Sequence, residues 1–318
     1  MKAVVIGGGS WGTAFAWLLA EYGHDVTLAC RDAVQADTIA ATGHNPRYLP
    51  TARLDRVAAM TIDEAPLDDA DVVVIAVPSN AFGRVVRELP GMSPVLSLTK
   101  GLDPTTGRRL STLVEGRAVA CLSGPNFAEE IAAGLPAATV IASEDEALVL
   151  RLQEAINSPT FRVYVNTDIA GVEFCGAAKN VIALAAGGVD GLGLGDNAKA
   201  GVITRGVAEM ARLGEAAGAR VETFAGLAGM GDLMVTCWSK LGRNRRAGEL
   251  IARGATAEEA RAEIGQVVEG ITTAPVLRDL ARSLDIELPI TNGVCAVLEG
   301  QSLTDLVASI MGRRPRAE

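Results

Sequence analysis

The sequence predicts an α/β chain in two parts: a doubly wound, mostly parallel sheet first, then an all-α domain. Three observations carry this. Short apolar runs alternate with helical segments over residues 1–166, as in a parallel sheet with helical crossovers. A glycine-rich turn separates the first run from the first helix. After residue 166 strand signals nearly stop and alanine-rich segments take over. The 318 residues suffice for about two domains, expected at 1–166 and 167–318 with no obvious linker.

At 49% hydrophobic and 21% charged residues, the chain suits a globular protein with a full core. Aromatics are only 4% and glycines number 35, which predicts closely packed helices. A net charge of −9 argues against nucleic acid as a partner. The cysteines, Cys30, Cys121, Cys175, Cys237 and Cys295, are odd in number and widely spaced without a CxxC pair. No disulfide framework and no metal site is expected, but reduced, mostly buried thiols. The start, MKAVVIGGG, runs straight into a strand and so does not read as a signal peptide. No apolar run is read as a membrane span. The expected location is therefore cytoplasmic.

Residues 2–6 form the first apolar run, then comes GGGSWG, then a helix over 13–20 and a second strand over 25–30. Gly7, Gly9 and Gly12 have the G-x-G-x-x-G spacing. In this setting Gly7 makes the tight turn, Gly9 lets a pyrophosphate approach, and Gly12 lets helix and strand pack closely. Amides at the helix start receive the phosphates. The first domain is thus predicted to be a Rossmann-type dinucleotide-binding domain. Its second strand ends at Cys30-Arg31-Asp32. NAD sites often carry an acid here, whereas Arg31 suits a 2′-phosphate or the adenine face. This points to NADP(H). The neighbouring Asp32 leaves NAD(H) open, and a solvated surface arginine is the plainer alternative.

Residues 33–42 read as a helix and GHNPRYLP (43–50) as a loop. Strands are expected at 71–77, 94–98, 118–122, 139–142 and 161–165, with helices at 80–89 and 145–157. Lys100 follows the 94–98 strand, at the sheet end where such folds place ligands. In SGPNFAEEIAAG, Asn126 is expected to cap a helix with Glu129 as its capping-box partner. Amides beside it could meet an oxyanion.

Helices of the second half are expected at 169–188, 197–217, 249–253, 258–265 and 273–284. The first carries Glu173, Lys179 and Asn180 on an otherwise apolar surface. Gly176, Ala177 and Ala178 let another backbone or a ligand come close. Burial would lower the pKa of Lys179 unless an acid answers it. A lysine so tuned can exchange a proton at a substrate oxygen. A lysine snorkelling to water is the alternative. GGVDGLGLG (187–195) reads as a glycine-rich turn, and GLAGMGD places Asp232 at a helix N-cap. Arg243, Asn244, Arg245 and Arg246 form a basic run suited to phosphate, or a solvated face. Glu269 in IGQVVEG has no role legible from spacing. The tail GRRPRAE is expected to fray.

Several blocks, in order along essentially the whole chain, resemble the bacterial NAD(P)-dependent glycerol-3-phosphate dehydrogenase family. They are GGGSWGTA, SLTKG, SGPNFAEEIAAGLPAA, GVEFCGAAKNVIAL, GLAGMGDLMVTC, RNRRAG, QVVEG and ELPIT. The resemblance implies reversible hydride transfer that reduces dihydroxyacetone phosphate to sn-glycerol 3-phosphate, feeding glycerophospholipid synthesis. By position, it makes Lys179 the proton acceptor and donor, with Asp232 orienting its ammonium and Lys100 close to substrate and cofactor. Gly124 and Asn126 match substrate-loop positions. Gly242, Arg243 and Asn244 match the phosphate segment, with the Gly242 amide as a donor. Ser10, Trp11, Arg31, Ala128, Arg243, Val267 and Glu269 match cofactor positions. Two residues depart from the family pattern: Gly242 stands where Ser is common, and Asn126 where Ser or Thr is frequent. The resemblance, and the abundance of symmetric dimers, imply a homodimer. The residues alone leave two other readings: a related two-domain dehydrogenase of another hydroxy acid or phosphorylated ketone, and a non-catalytic nucleotide sensor.

Overall fold

Eight strands pair into one sheet: β1 (Lys2–Ile6), β2 (Asp25–Cys30), β3 (Val57–Thr61), β4 (Val72–Ile75), β5 (Val95–Ser97), β6 (Val119–Ser123), β7 (Ala137–Ala142) and β8 (Phe161–Asn166). Their order is β3-β2-β1-β4-β5-β6-β7-β8. Every neighbouring pair is parallel except β6 and β7. Helices α1 (Ser10–Glu21), α2 (Ala33–Thr42), α3 (Ser79–Glu88), α4 (Ala128–Ala132) and α5 (Glu146–Ile156) lie between the strands in sequence. The order reverses between β1 and β4, both almost wholly buried, which is where a doubly wound sheet opens its ligand crevice. Strand β3 escapes the sequence reading. It is an edge strand with one buried residue, and its small apolar residues, VAAMT, lack the alternation and the bulky β-branched run that mark a strand.

The computed structural model describes residues 1–311; the tail expected to fray, 312–318, lies outside them. The described residues form two compact units, Met1–Gly176 with Glu222–Asp232, and Ala177–Val221 with the chain from Leu233 onward. Helix α6 (Ile169–Gly191) starts in the first unit and continues in the second. It is followed by α7 (Gly195–Ala216), α8 (Val221–Phe224), α9 (Asp232–Trp238), α10 (Arg243–Ala252), α11 (Ala257–Ile264), α12 (Glu269–Ser283), α13 (Pro289–Leu298) and α14 (Leu303–Met311). No strand occurs among the described residues after β8.

Several local expectations are corrected. Helix α6 runs to Gly191, so most of the predicted glycine turn is helical. The reason is close packing: a Cβ on Gly187 would strike the carbonyl oxygen of Arg245, and one on Gly248 that of Leu184. Glycine lets α6 and α10 meet backbone to backbone. Helix α10 starts at Arg243, six residues earlier than predicted, so the basic run is its first turn. Helix α6 is also long and apolar enough to cross a bilayer, contrary to the expectation of no such run. Its apolar window is 89% buried inside the fold, so protein covers it.

Burying α6 requires that its charges be answered. Glu173 accepts from the Ser111 amide at 2.7 Å, the Ser111 hydroxyl at 2.5 Å and Arg109 Nη1 at 3.0 Å. Replacing Glu173 with Ala removes both acceptor oxygens, and with them all three bonds, and leaves a partly buried guanidinium without its counter-charge. The expected loss is about 3 kcal/mol of stability, read from urea unfolding midpoints. An unchanged midpoint would show that these contacts do not hold the start of α6. All five cysteines are free and buried, as expected.

Candidate active site

In the first unit, the turn after β1 is built around three glycines. Gly7 has φ +120°, and a Cβ there would stand 2.5 Å from the Ala76 oxygen. A Cβ on Gly12 would strike the oxygen of Gly7, whereas nothing lies within 4 Å of one on Gly9. Gly9 caps α1 without a side chain, so the helix start offers its amides to an anion. The loop 43–50, silent in sequence, pins this turn. The fully buried Asn45 donates to the Gly8 oxygen at 2.9 Å and to Thr13 Oγ1 at 2.8 Å. Gln35 Nε2 reaches the same Gly8 oxygen at 2.6 Å, and the Ser10 hydroxyl donates to the Tyr48 oxygen at 3.0 Å.

Two features here fit a dinucleotide. The buried Trp11 Nε1 is a donor with no partner, and the space over Gly9 is one that a Cβ would fill. Arg31 is exposed after β2. Asp32 caps α2 through the Val34 amide at 3.0 Å, which gives its carboxylate a structural task. Ala128 is the buried first residue of α4. Arg243, Val267 and Glu269 belong to the second unit.

Beyond β5, Lys100 Nζ donates to Asp232 Oδ2 at 2.6 Å and to the Gly124 oxygen at 3.0 Å. Asp232 is 2% exposed, and a carboxylate so buried needs a cation. The predicted N-cap role of Asp232 is corrected. The π-turn Leu227–Gly231 runs directly into α9, and Asp232 already has helical angles. Asn126 does not cap α4 either; Phe127 holds that position without a side-chain bond. Instead Asn126 Nδ2 donates to Thr139 Oγ1 at 2.9 Å. The Thr139 hydroxyl gives its proton to the Ser123 oxygen at 3.1 Å, so it can only accept from Asn126. This fixes the amide orientation. Asn126 Oδ1 and Ser123 Oγ are then buried polar atoms without partners, flanking Gly124.

In the second unit, Lys179 is 6% exposed, which overturns the snorkelling alternative. Its Nζ donates to Thr236 Oγ1 on α9 at 2.9 Å, a partner that the sequence reading does not name. Asn180, beside it, accepts from Asn244 Nδ2 at 2.9 Å, and Asn244 Oδ1 accepts from the Gly270 amide at 2.9 Å. The Asn244 side chain thus ties the start of α10 to α6 and α12. The Gly242 amide donates to the Ser239 oxygen at 3.1 Å. It is therefore committed to its own turn, contrary to the expectation that it serves the phosphate. Arg243 Nη1 lies 3.3 Å from Gln266 Oε1, and Arg246 pairs with the exposed Glu263 at 3.1 Å.

Residues 2–149 match the family described as NAD-dependent glycerol-3-phosphate dehydrogenase N-terminus, and residues 168–308 match its C-terminus. The chain belongs to the NAD-dependent glycerol-3-phosphate dehydrogenase family. It is 48% identical to "Glycerol-3-phosphate dehydrogenase [NAD(P)+]" of Moorella thermoacetica, over 98% of this chain and 96% of that one. The protein of the same name from Nocardia farcinica is 45% identical, over 100% and 99%. A crystal structure of glycerol-3-phosphate dehydrogenase from Coxiella burnetii superposes with a TM-score of 0.94 at 38% identity, covering 98% of this chain and 99% of that one.

The glycine turn separates fold from binding. Gly9→Ala has room and ordinary backbone angles. Its stability should stay within about 0.5 kcal/mol, while NADPH affinity falls about 10-fold or more because the methyl stands where a phosphate approaches. Gly12→Ala should instead lose about 2 kcal/mol or more of stability through overpacking. Urea unfolding and fluorescence titration with NADPH check both, and equal NADPH affinity in Gly9→Ala would move the cofactor elsewhere.

Proposed function

We propose that the protein reduces dihydroxyacetone phosphate to sn-glycerol 3-phosphate with NAD(P)H, reversibly, and that Lys179 is its proton donor and acceptor. The single observation that carries the role of Lys179 is its burial beside the Thr236 hydroxyl. That partner orients the ammonium, and Lys100 is paired with a carboxylate. When bound, a nicotinamide cofactor would supply the hydride for the carbonyl carbon. Lys179 gives its proton to the oxygen as negative charge develops there, and takes one back in the reverse reaction. Lys100, held by Asp232 and the Gly124 oxygen, is assigned to the substrate and cofactor by its place after β5 and by the family resemblance. The unpartnered oxygens of Asn126 and Ser123 support a role for the Gly124 loop in meeting a substrate hydroxyl. The phosphate lies against Arg243 and the amides at the start of α10. Asn244 contributes through its backbone, because its side chain is engaged.

The glycine turn Gly7, Gly9 and Gly12, with Ser10, Trp11 and Ala128, holds the cofactor, and Arg243, Val267 and Glu269 add contacts. Arg31 favours NADP(H) through the 2′-phosphate, with NAD(H) also accepted. The protein works in the cytoplasm, as a homodimer, supplying glycerophospholipid synthesis.

Oxidation of NADPH and NADH at neutral pH should proceed with dihydroxyacetone phosphate and not with dihydroxyacetone. Lys179→Ala should lower kcat about 10²- to 10⁴-fold, and Thr236→Val should lower it about 10-fold while costing about 1–3 kcal/mol of stability, because the buried ammonium loses that acceptor. Turnover retained in Lys179→Ala, or equal turnover of the phosphate-free ketone, would sink this assignment. Light scattering at micromolar protein should give twice the chain mass; a monomer would remove the dimer.

A further inference from the structure

Arg245 differs from its neighbours in the basic run. Its side chain is 12% exposed. Nε donates to the Ser239 oxygen at 3.1 Å, the same oxygen that accepts the Gly242 amide. Nη1 meets the Asp190 carboxylate on the last turn of α6, and Glu249 Oε2 at 3.4 Å. The other Asp190 oxygen takes Lys199 Nζ at 2.5 Å. Lys199, 7% exposed at its side chain, lies 5.4 Å from the ring centre of Trp238, the last residue of α9. The turn 239–242 is thereby fastened to α6 and α7. Its end packs tightly on α9: a Cβ on Gly242 would stand 2.5 Å from the Thr236 oxygen. Thr236 in turn receives Lys179. One rigid turn therefore sets the spacing between the lysine's partner and the start of α10.

We propose that Arg245 and Asp190 are positioning residues of the phosphate site. Together they hold the turn 239–242 in register, and Arg245, unlike Arg243, does not touch the substrate phosphate. This rests on the functional reading above, in which the start of α10 receives the phosphate. The physical basis is planarity. A guanidinium can serve the Ser239 carbonyl and the Asp190 carboxylate at once, which a lysine ammonium cannot do in the same geometry.

The two readings of Arg245 predict opposite behaviour at Asp190. For a positioning pair, Asp190→Asn and Arg245→Lys should each raise KM for dihydroxyacetone phosphate about 10-fold. Each should weaken calorimetric binding of inorganic phosphate by a similar factor, measured with the cofactor site filled by NADPH. KM for NADPH should not change. The double variant should lose no more than the worse single variant, because both act through one turn. If Arg245 were a phosphate ligand, Asp190→Asn would leave phosphate binding intact or tighten it, and the proposal would fall. It would also fall if both variants melted earlier with KM and phosphate affinity unchanged, the signature of a purely structural pair. Should either variant fail to fold, Asp190→Glu and Arg245→Gln make the same comparison. Wild-type protein that binds phosphate without reducing the ketone would overturn the functional reading alone. The phosphate affinities would still decide the positioning claim.

Discussion

The structure depends on how one buried helix disposes of its charges. Helix α6 is apolar along most of its 23 residues, yet it carries Glu173, Lys179 and Asp190. An unanswered charge in such surroundings would cost several kcal/mol, so each recruits a partner from a different segment. Glu173 draws in the turn at Ser111 with Arg109. Lys179 engages Thr236 on α9. Asp190 gathers Lys199 of α7 and Arg245 of α10. The helix that supplies the proposed acid and base is thus also the frame on which other segments are fixed.

Small residues make those engagements close enough to matter. With few aromatic side chains to fill gaps, the helical unit brings backbones together directly. Gly187 and Gly248 permit the crossing of α6 and α10, and a Cβ on Gly270 would stand 2.5 Å from the Asn180 oxygen. Side-chain amides then lock these contacts, as Asn244 does between Asn180 and Gly270. Close packing leaves little freedom for a side chain to drift, a property that a proton-transfer site requires. The dinucleotide unit uses the same device. Asn45 and Gln35 converge on the Gly8 oxygen, holding the glycine turn from outside rather than by bulk within it.

The sequence by itself determined the class of fold, most strands and helices, and the family. Apolar runs such as 2–6 and 71–77, with the spacing of Gly7, Gly9 and Gly12, are local signals, and they survive because the buried strands need no distant partner to be recognised. Lys179 and Lys100 were also legible as candidates, from an apolar helix and a strand end. Tertiary structure alone decided what answers each polar group. Asp232 meets Lys100 across 132 residues of chain, Lys179 meets Thr236 across 57, and Arg245 meets Asp190 across 55. The misplaced caps at Asn126 and Asp232 have the same origin. A local pattern offered each side chain a neighbouring amide, but the folded chain placed a buried hydroxyl or cation beside it. Hydrogen bonds and ion pairs are short-range in space and indifferent to sequence separation, so only the packed chain selects among the partners that its sequence allows.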